Sequence, residues 1–180
     1  GILVNDNDAQ HNSALISNLE HQDLDIEFEF MMPAGSNSGI YLQGRYEVQL
    51  FDSWGKAVPD ITDLGGIYRN WESDPKTAYA GKAPMTNAAR PPGIWQKMFI
   101  SFSGPRFDAN GKKIKNARFN KVLINNQLVH LNVEVPQPTG GPIENNEVSR
   151  GPLMIQGDHG SVAFKNISYR TFEDAKVEAT

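Results

Sequence analysis

Leu24-Asp25-Ile26-Glu27-Phe28-Glu29-Phe30-Met31 alternates apolar with acidic side chains from Leu24 to Phe30. Successive side chains of an extended chain point to opposite faces, so Leu24, Ile26, Phe28 and Phe30 share one face and Asp25, Glu27 and Glu29 the other. The same period recurs in residues 45–51, where Tyr46, Val48 and Leu50 oppose Glu47 and Gln49. In 128–135 it sets Val129, Leu131, Val133 and Val135 against His130, Asn132 and Glu134. Further strands are expected at 94–103, 119–124, 153–156 and 162–171, residues 1–4 read as the start of another, and 37–52 reads as two strands hinged at Gly44. Pro and Gly punctuate the chain between them. The pattern predicts an all-β fold, a sandwich of two antiparallel sheets. The only helix expected is a short C-terminal one at 173–179.

The chain of 180 residues has the length of one domain, expected to run over 1–180. A net charge of −4 provides no general basic field, which argues against nucleic acid as a main partner. No window approaches the ~18 consecutive apolar residues of a membrane span, and the N-terminus lacks a signal-peptide layout. The absence of cysteine excludes disulfides, thiolate metal sites and a cysteine nucleophile.

Most short motifs carry no chemistry. His11, His21, His130 and His159 are widely separated, and none forms the i, i+4 pair of a zinc protease helix. Asn5, Asp6 and Asp8 offer hard oxygen ligands without the glycine and final glutamate of a calcium loop. Residues 35–39, Gly-Ser-Asn-Ser-Gly, have Asn37 where a nucleophile elbow needs serine, and the Asn166-Ile167-Ser168 sequon falls inside an expected strand. Residues 37–52 differ in character, because Tyr41, Gln43, Glu47 and Gln49 are candidates for one polar face. Aromatic side chains beside carboxamides and carboxylates suit sugars, which have C–H faces and hydroxyl rims. Two long loops, 52–90 with Trp54, Tyr68 and Trp71, and 136–150, exceed the usual connection length. The aromatics point to a functional role for the first.

Asn37-Ser38-Gly39-Ile40-Tyr41, Tyr46-Glu47-Val48-Gln49 with Asp52-Ser53, Gly65-Gly66-Ile67-Tyr68, Pro91-Pro92-Gly93-Ile94-Trp95, and Ile155-Gln156-Gly157-Asp158-His159-Gly160 with Phe164-Lys165-Asn166-Ile167 occur in this order. This series resembles the 3-keto-disaccharide hydrolase family over residues 24–169. The resemblance implies a concanavalin A-like jelly roll with a carbohydrate-facing side, a carbohydrate substrate, and an exported protein of bacterial type, periplasmic or extracellular. It places Glu47 and His159 as catalytic candidates, and Tyr41, Gln43, Gln49, Tyr68 and Gln156 as substrate-binding candidates. The chain departs from the family at Gln96, Asn126 and Lys165. The family's usual opening segment, with its Asn-Gly and Trp, is not seen.

A conventional glycosidase needs paired carboxylates. A laminarinase-type Glu-x-Asp-x-x-Glu does not fit, because Gln49 cannot ionise and Asp52 lies five positions from Glu47. Glu27 or Glu29 would complete a retaining pair if its strand lay beside that of Glu47. The alternative is a sugar already oxidised at C3, whose ketone acidifies the C2–H and permits elimination from C1. His159 or Glu47 would be the base, and Gln49, Tyr41 or a divalent cation would hold the enolate oxygen. No cofactor is assigned beyond that cation. Two functional classes stand, an enzyme cleaving glycosidic bonds and a non-catalytic carbohydrate-binding module, with a structural domain of a larger assembly as a third.

Overall fold

The structure, a computed structural model, describes residues 1–8, 13–72, 74 and 76–173. Its strands are β1 (Leu3–Asn5), β2 (Leu15–His21), β3 (Asp23–Met31), β4 (Asn37–Leu42), β5 (Tyr46–Phe51), β6 (Gln96–Ser103), β7 (Arg106–Phe107), β8 (Lys113–Lys115), β9 (Ala117–Ile124), β10 (Gln127–Val135), β11 (Gly151–Ile155) and β12 (Val162–Phe172). There is no helix among the described residues. The helix expected at 173–179 lies outside them except for Glu173.

Six strands form one sheet in the order β1-β12-β3-β6-β9-β10, four form a second in the order β2-β11-β4-β5, and β7-β8 make a small ribbon. Neighbouring strands are antiparallel throughout, as a jelly-roll sandwich requires. The alternation of β3 holds residue by residue: Leu24, Ile26, Phe28 and Phe30 are buried, with the acids between them partly exposed. They form one hydrophobic cluster with Met98, Ile100 and Phe102 from β6, Phe119, Val122 and Ile124 from β9, and Ile40, Leu42, Tyr46, Val48 and Leu50 from the smaller sheet.

β10 departs from the expected alternation. Its pairing with β9 shifts between Leu128 and His130, so Val129 and His130 are both buried and Leu131 is 55% exposed. The extra residue turns Leu131 outward, and Asn132 at φ +52° restores the alternation beyond it, so that Val135 is buried and Val133 packs on the core as expected. Trp95 is half-buried outside the core, beneath the Lys165 ammonium 4.1 Å from its ring centroid.

The smaller sheet is covered on its second face. Residues 65–68 of the long loop pair along the free edge of β5 through Gly65 N–H to Gln49 O, Gln49 N–H to Gly66 O and Tyr68 N–H to Glu47 O. The 136–150 loop is fastened by Thr139, whose N–H donates to Arg45 O while its hydroxyl accepts from Glu47 N–H at 2.9 Å. Lys113 and Tyr46 both bond Glu147, and Arg45 grips Asn146. These ties account for the burial of every residue from Ile40 to Leu50 on both faces of the hairpin.

Candidate functional site

The β4–β5 register sets Tyr41 opposite Glu47 and Gly39 opposite Gln49. These residues point away from the core, and the two long loops enclose them in a cleft of about 460 Å³. Its lining includes Asn37, Tyr41, Glu47 and Gln49 from the sheet, Tyr68 and Trp71 from the first loop, Gly140 from the second, and Gln156 and His159 from the turn after β11. Six of the seven residues expected at the site therefore come together: Tyr41, Glu47, Gln49, Tyr68, Gln156 and His159. Gln43 does not join them. It sits at φ +54° in the β4–β5 turn, and its amide donates to the carbonyls of His21, Gln22 and Ser149. A left-handed turn residue breaks the alternation that would have aimed it into the cleft.

Glu27 and Glu29 do not pair with Glu47. They lie on β3 of the larger sheet, and Glu47 lies on β5 of the smaller one, so no cross-strand carboxylate pair forms. Their side chains instead meet Lys97 and Lys165. Asp52 is also outside the cleft lining, and its carboxylate caps the N–H groups of Gly35 and Trp54.

Glu47 is almost wholly buried, with 1% of its surface exposed. Burial penalises its charged form and pushes its pKa up to about 8; the Tyr41 hydroxyl opposes this and the negative Asp158 adds to it. The carboxyl occupies space that only glycine leaves open, since a Cβ on Gly39 would lie 2.1 Å from Glu47 Oε1. Gln49 Nε2 donates to Glu47 Oε2 at 3.3 Å, while Tyr41 donates its hydroxyl to Gly140 O at 3.0 Å. At the rim, His159 Nδ1 lies 2.6 Å from Asp158 Oδ1, a contact that leaves Nε2 as the second ring nitrogen for a substrate.

Four oxygens of this cleft are buried without a hydrogen-bond partner: Asn37 Oδ1, Glu47 Oε1, Gln49 Oε1 and Gln156 Oε1. Unpartnered buried polar oxygens are uncommon in folded proteins, and all four belong to residues that line this one cleft. Sugar hydroxyls would satisfy them. The same oxygens are the ones that could hold a divalent cation, with Glu47 as the single carboxylate among them. Among the described residues no three His, Cys, Asp or Glu side chains are grouped as a metal site. Near the N-terminus, the Asn5 amide donates to Gly157 O and Gly160 O, which makes it a staple for the turn carrying His159. A second cavity, lined mainly by Leu3, Val4, Leu15, Ile155 and Phe164, brings no titratable side chain together.

The model of the 3-keto-alpha-glucoside-1,2-lyase-like domain matches residues 1–170. The chain belongs to that family. No curated protein matches it in sequence. Two solved structures of candidate glycosyl hydrolases from Parabacteroides distasonis ATCC 8503 share the fold. One is 23% identical with a TM-score of 0.69, covering 88% of this chain and 68% of the other. The second is 14% identical with a TM-score of 0.65, covering 96% and 81%. The alginate lyase Aly36B is also similar, at 10% identity and a TM-score of 0.51, covering 96% and 80%. At such identities these likenesses show the jelly roll alone. Trp71, Asn37 and Asp158 are cleft or rim residues that the sequence reading did not assign to the site, although Asn37 and Asp158 stood inside its motifs.

Proposed function

We propose that the chain cleaves the glycosidic bond of glucosides carrying a ketone at C3, by removing the C2 proton and eliminating the C1 substituent. The observation that carries this reading is the cleft's chemistry: a buried acid that is neutral near pH 7, with Tyr41 and not a second carboxylate opposite it. A neutral carboxylic acid donates a hydrogen bond, which suits an enolate oxygen better than it suits attack on an acetal carbon. Membership of the 3-keto-alpha-glucoside-1,2-lyase-like family supports the same reading.

In this scheme His159 Nε2 takes the C2 proton, with Asp158 orienting the ring through Nδ1. The electron pair of the C2–H bond passes to the C3 oxygen as an enolate, held by the Glu47 hydroxyl. As the enolate collapses, the C3 ketone re-forms, C1=C2 forms, the C1–O bond breaks and the departing oxygen takes up the proton that His159 Nε2 removed from C2. Water added across the double bond would convert the same sequence into net hydrolysis.

The test offers 3-keto-glucosides and their unoxidised parents in D2O and follows deuterium at C2 together with released aglycone. Turnover of the keto form alone, with C2 exchange, is expected. Equal turnover of the parent points to a conventional glycosidase, and binding of both without turnover points to a carbohydrate-binding module.

A further inference from the structure

Asn5-Asp6-Asn7-Asp8 makes no calcium loop, and none of its four residues lines the cleft. Its side chains alternate all the same, with Asn5 and Asn7 half-buried and Asp6 and Asp8 exposed. The two asparagines meet the turn between β11 and β12, which carries Asp158 and His159. Asn5 Nδ2 donates to Gly157 O at 3.0 Å and to Gly160 O at 3.1 Å. With its amide nitrogen turned to the same carbonyl, Asn7 donates to Gly157 O at 3.1 Å and accepts from Gly160 N–H at 3.1 Å. Asn7 holds φ +41°, a left-handed backbone that asparagine adopts more readily than most residues. Ser161 Oγ donates back to Asp6 O at 2.8 Å. The turn is also pressed close on two sides, since a Cβ on Gly157 would lie 2.0 Å from Ser13 O and one on Gly160 2.6 Å from Asn37 N. The His159 ring is held differently. It is about half exposed, and it bonds Asp158 of the same turn, so its place opposite Glu47 follows from the backbone that Asn5 and Asn7 hold.

We propose that Asn5 and Asn7 form a clamp that sets the reach of His159 into the cleft, which makes them positioning residues of the site. This rests on the reading above, in which His159 Nε2 removes the C2 proton. A base displaced by about 1 Å from the proton it must take loses up to roughly a hundredfold in rate, so a loosened turn acts on the chemical step and not on sugar binding. Each asparagine bonds both Gly157 and Gly160, so loss of either one slackens the same turn.

Steady-state kinetics on a 3-keto-glucoside test this in wild type, Asn5→Ala, Asn7→Ala and Asp6→Ala, each also in a His159→Ala background and each below its own melting temperature. Asn5→Ala and Asn7→Ala are expected to lower kcat about tenfold, with KM within about twofold of wild type. Asp6→Ala removes an exposed side chain of the same segment and is expected to leave both constants unchanged. In the His159→Ala background the asparagine changes are expected to cost nothing further, because the group they position is gone. An equal fractional loss with and without His159 means that the asparagines only hold the fold, and an unchanged kcat means that the turn needs no clamp. Either result overturns the proposal while leaving the glycoside reading intact. Wild-type rates in His159→Ala overturn the base assignment and the clamp together, and absence of turnover by the wild type overturns the glycoside reading with them.

Discussion

Glu47 is an acid folded into a place that resists its charge. Its carboxyl is buried beside Gln49 and Tyr41, and its pKa of about 8 makes it a proton donor at neutral pH. Glu47→Gln preserves shape but replaces the carboxylic O–H donor to the enolate with a weaker amide N–H, so kcat on a 3-keto-glucoside is expected to fall by roughly 10²–10³. The same substitution should stabilise the fold at pH 8. An unfolded glutamate ionises near pH 4.5, so the wild type loses stability as pH rises from there to about 8, whereas glutamine does not. Thermal melts of both proteins at pH 5 and pH 8 check this, and an unchanged difference between the two pH values would remove the buried-acid account. Gly39→Ala is the companion change, because its Cβ would meet Glu47 Oε1 at 2.1 Å and drive the carboxyl from its seat. It should lower kcat without the alkaline stabilisation seen in Glu47→Gln. Alternation in 45–51 put Glu47 on the face of Gln49 and opposite Val48, which the structure bears out. Its burial was not legible, because the segments fastened over the hairpin, at 65–68 and around Thr139, come from far along the chain.

Strand placement was readable wherever one face was continuously apolar. Seven expected segments recur with boundaries moved by only a few residues, as at β3, β5, β6 and β9. β2 was missed because only Ser17, Leu19 and His21 turn inward, so its inner face shows a single apolar residue. The β9–β10 hairpin gives an element-scale prediction. Ile124 pairs with Gln127, and Asn125 and Asn126 between them have φ of 51° and 65°, the geometry of a type I′ turn. Asn125 earns its place through its amide, which donates to Ala88 O and Gln96 Oε1, and its Oδ1, which accepts from Lys97 N–H. Asn126 is exposed at the turn. Asn126→Gly should therefore leave stability unchanged or raise it by under about 1 kcal/mol, whereas Asn125→Gly should lower it by about 1–3 kcal/mol. Denaturant unfolding of the two variants separates these cases, and equal effects would mean that the side-chain bonds of Asn125 contribute nothing.

Across the whole molecule, the period of two specified two-faced strands but not which sheet each joins. That is why the acids of β3 and β5 looked eligible to pair, although strand order sends them to different sheets. The same global packing buries two histidines whose positions gave no such signal. His21 Nε2 accepts from Gln43 N–H, and His130 Nε2 lies 2.7 Å from Gly65 O. Burial first, then the positive charge of Arg150, lowers His21 to about 4 despite Asp23. Burial first, with Lys82 assisting, lowers His130 to about 4 despite the Gly65 carbonyl. Each histidine thus remains neutral in the fold while its unfolded form takes up a proton below about 6.5. Their stabilisation is intact above pH 6.5 and declines as pH falls toward 4, by up to roughly 3 kcal/mol each. Glu47 acts in the opposite direction, since its contribution declines as pH rises from 4.5 toward 8. Between pH 4.5 and 6.5 two histidines outweigh one acid, and between 6.5 and 8 the acid acts alone, so stability should peak near pH 6.5. A series of melting curves from pH 4 to pH 9 reads the peak directly. In Glu47→Gln the alkaline limb should flatten while the acid limb persists, and an alkaline limb that survived this substitution would have to come from another group.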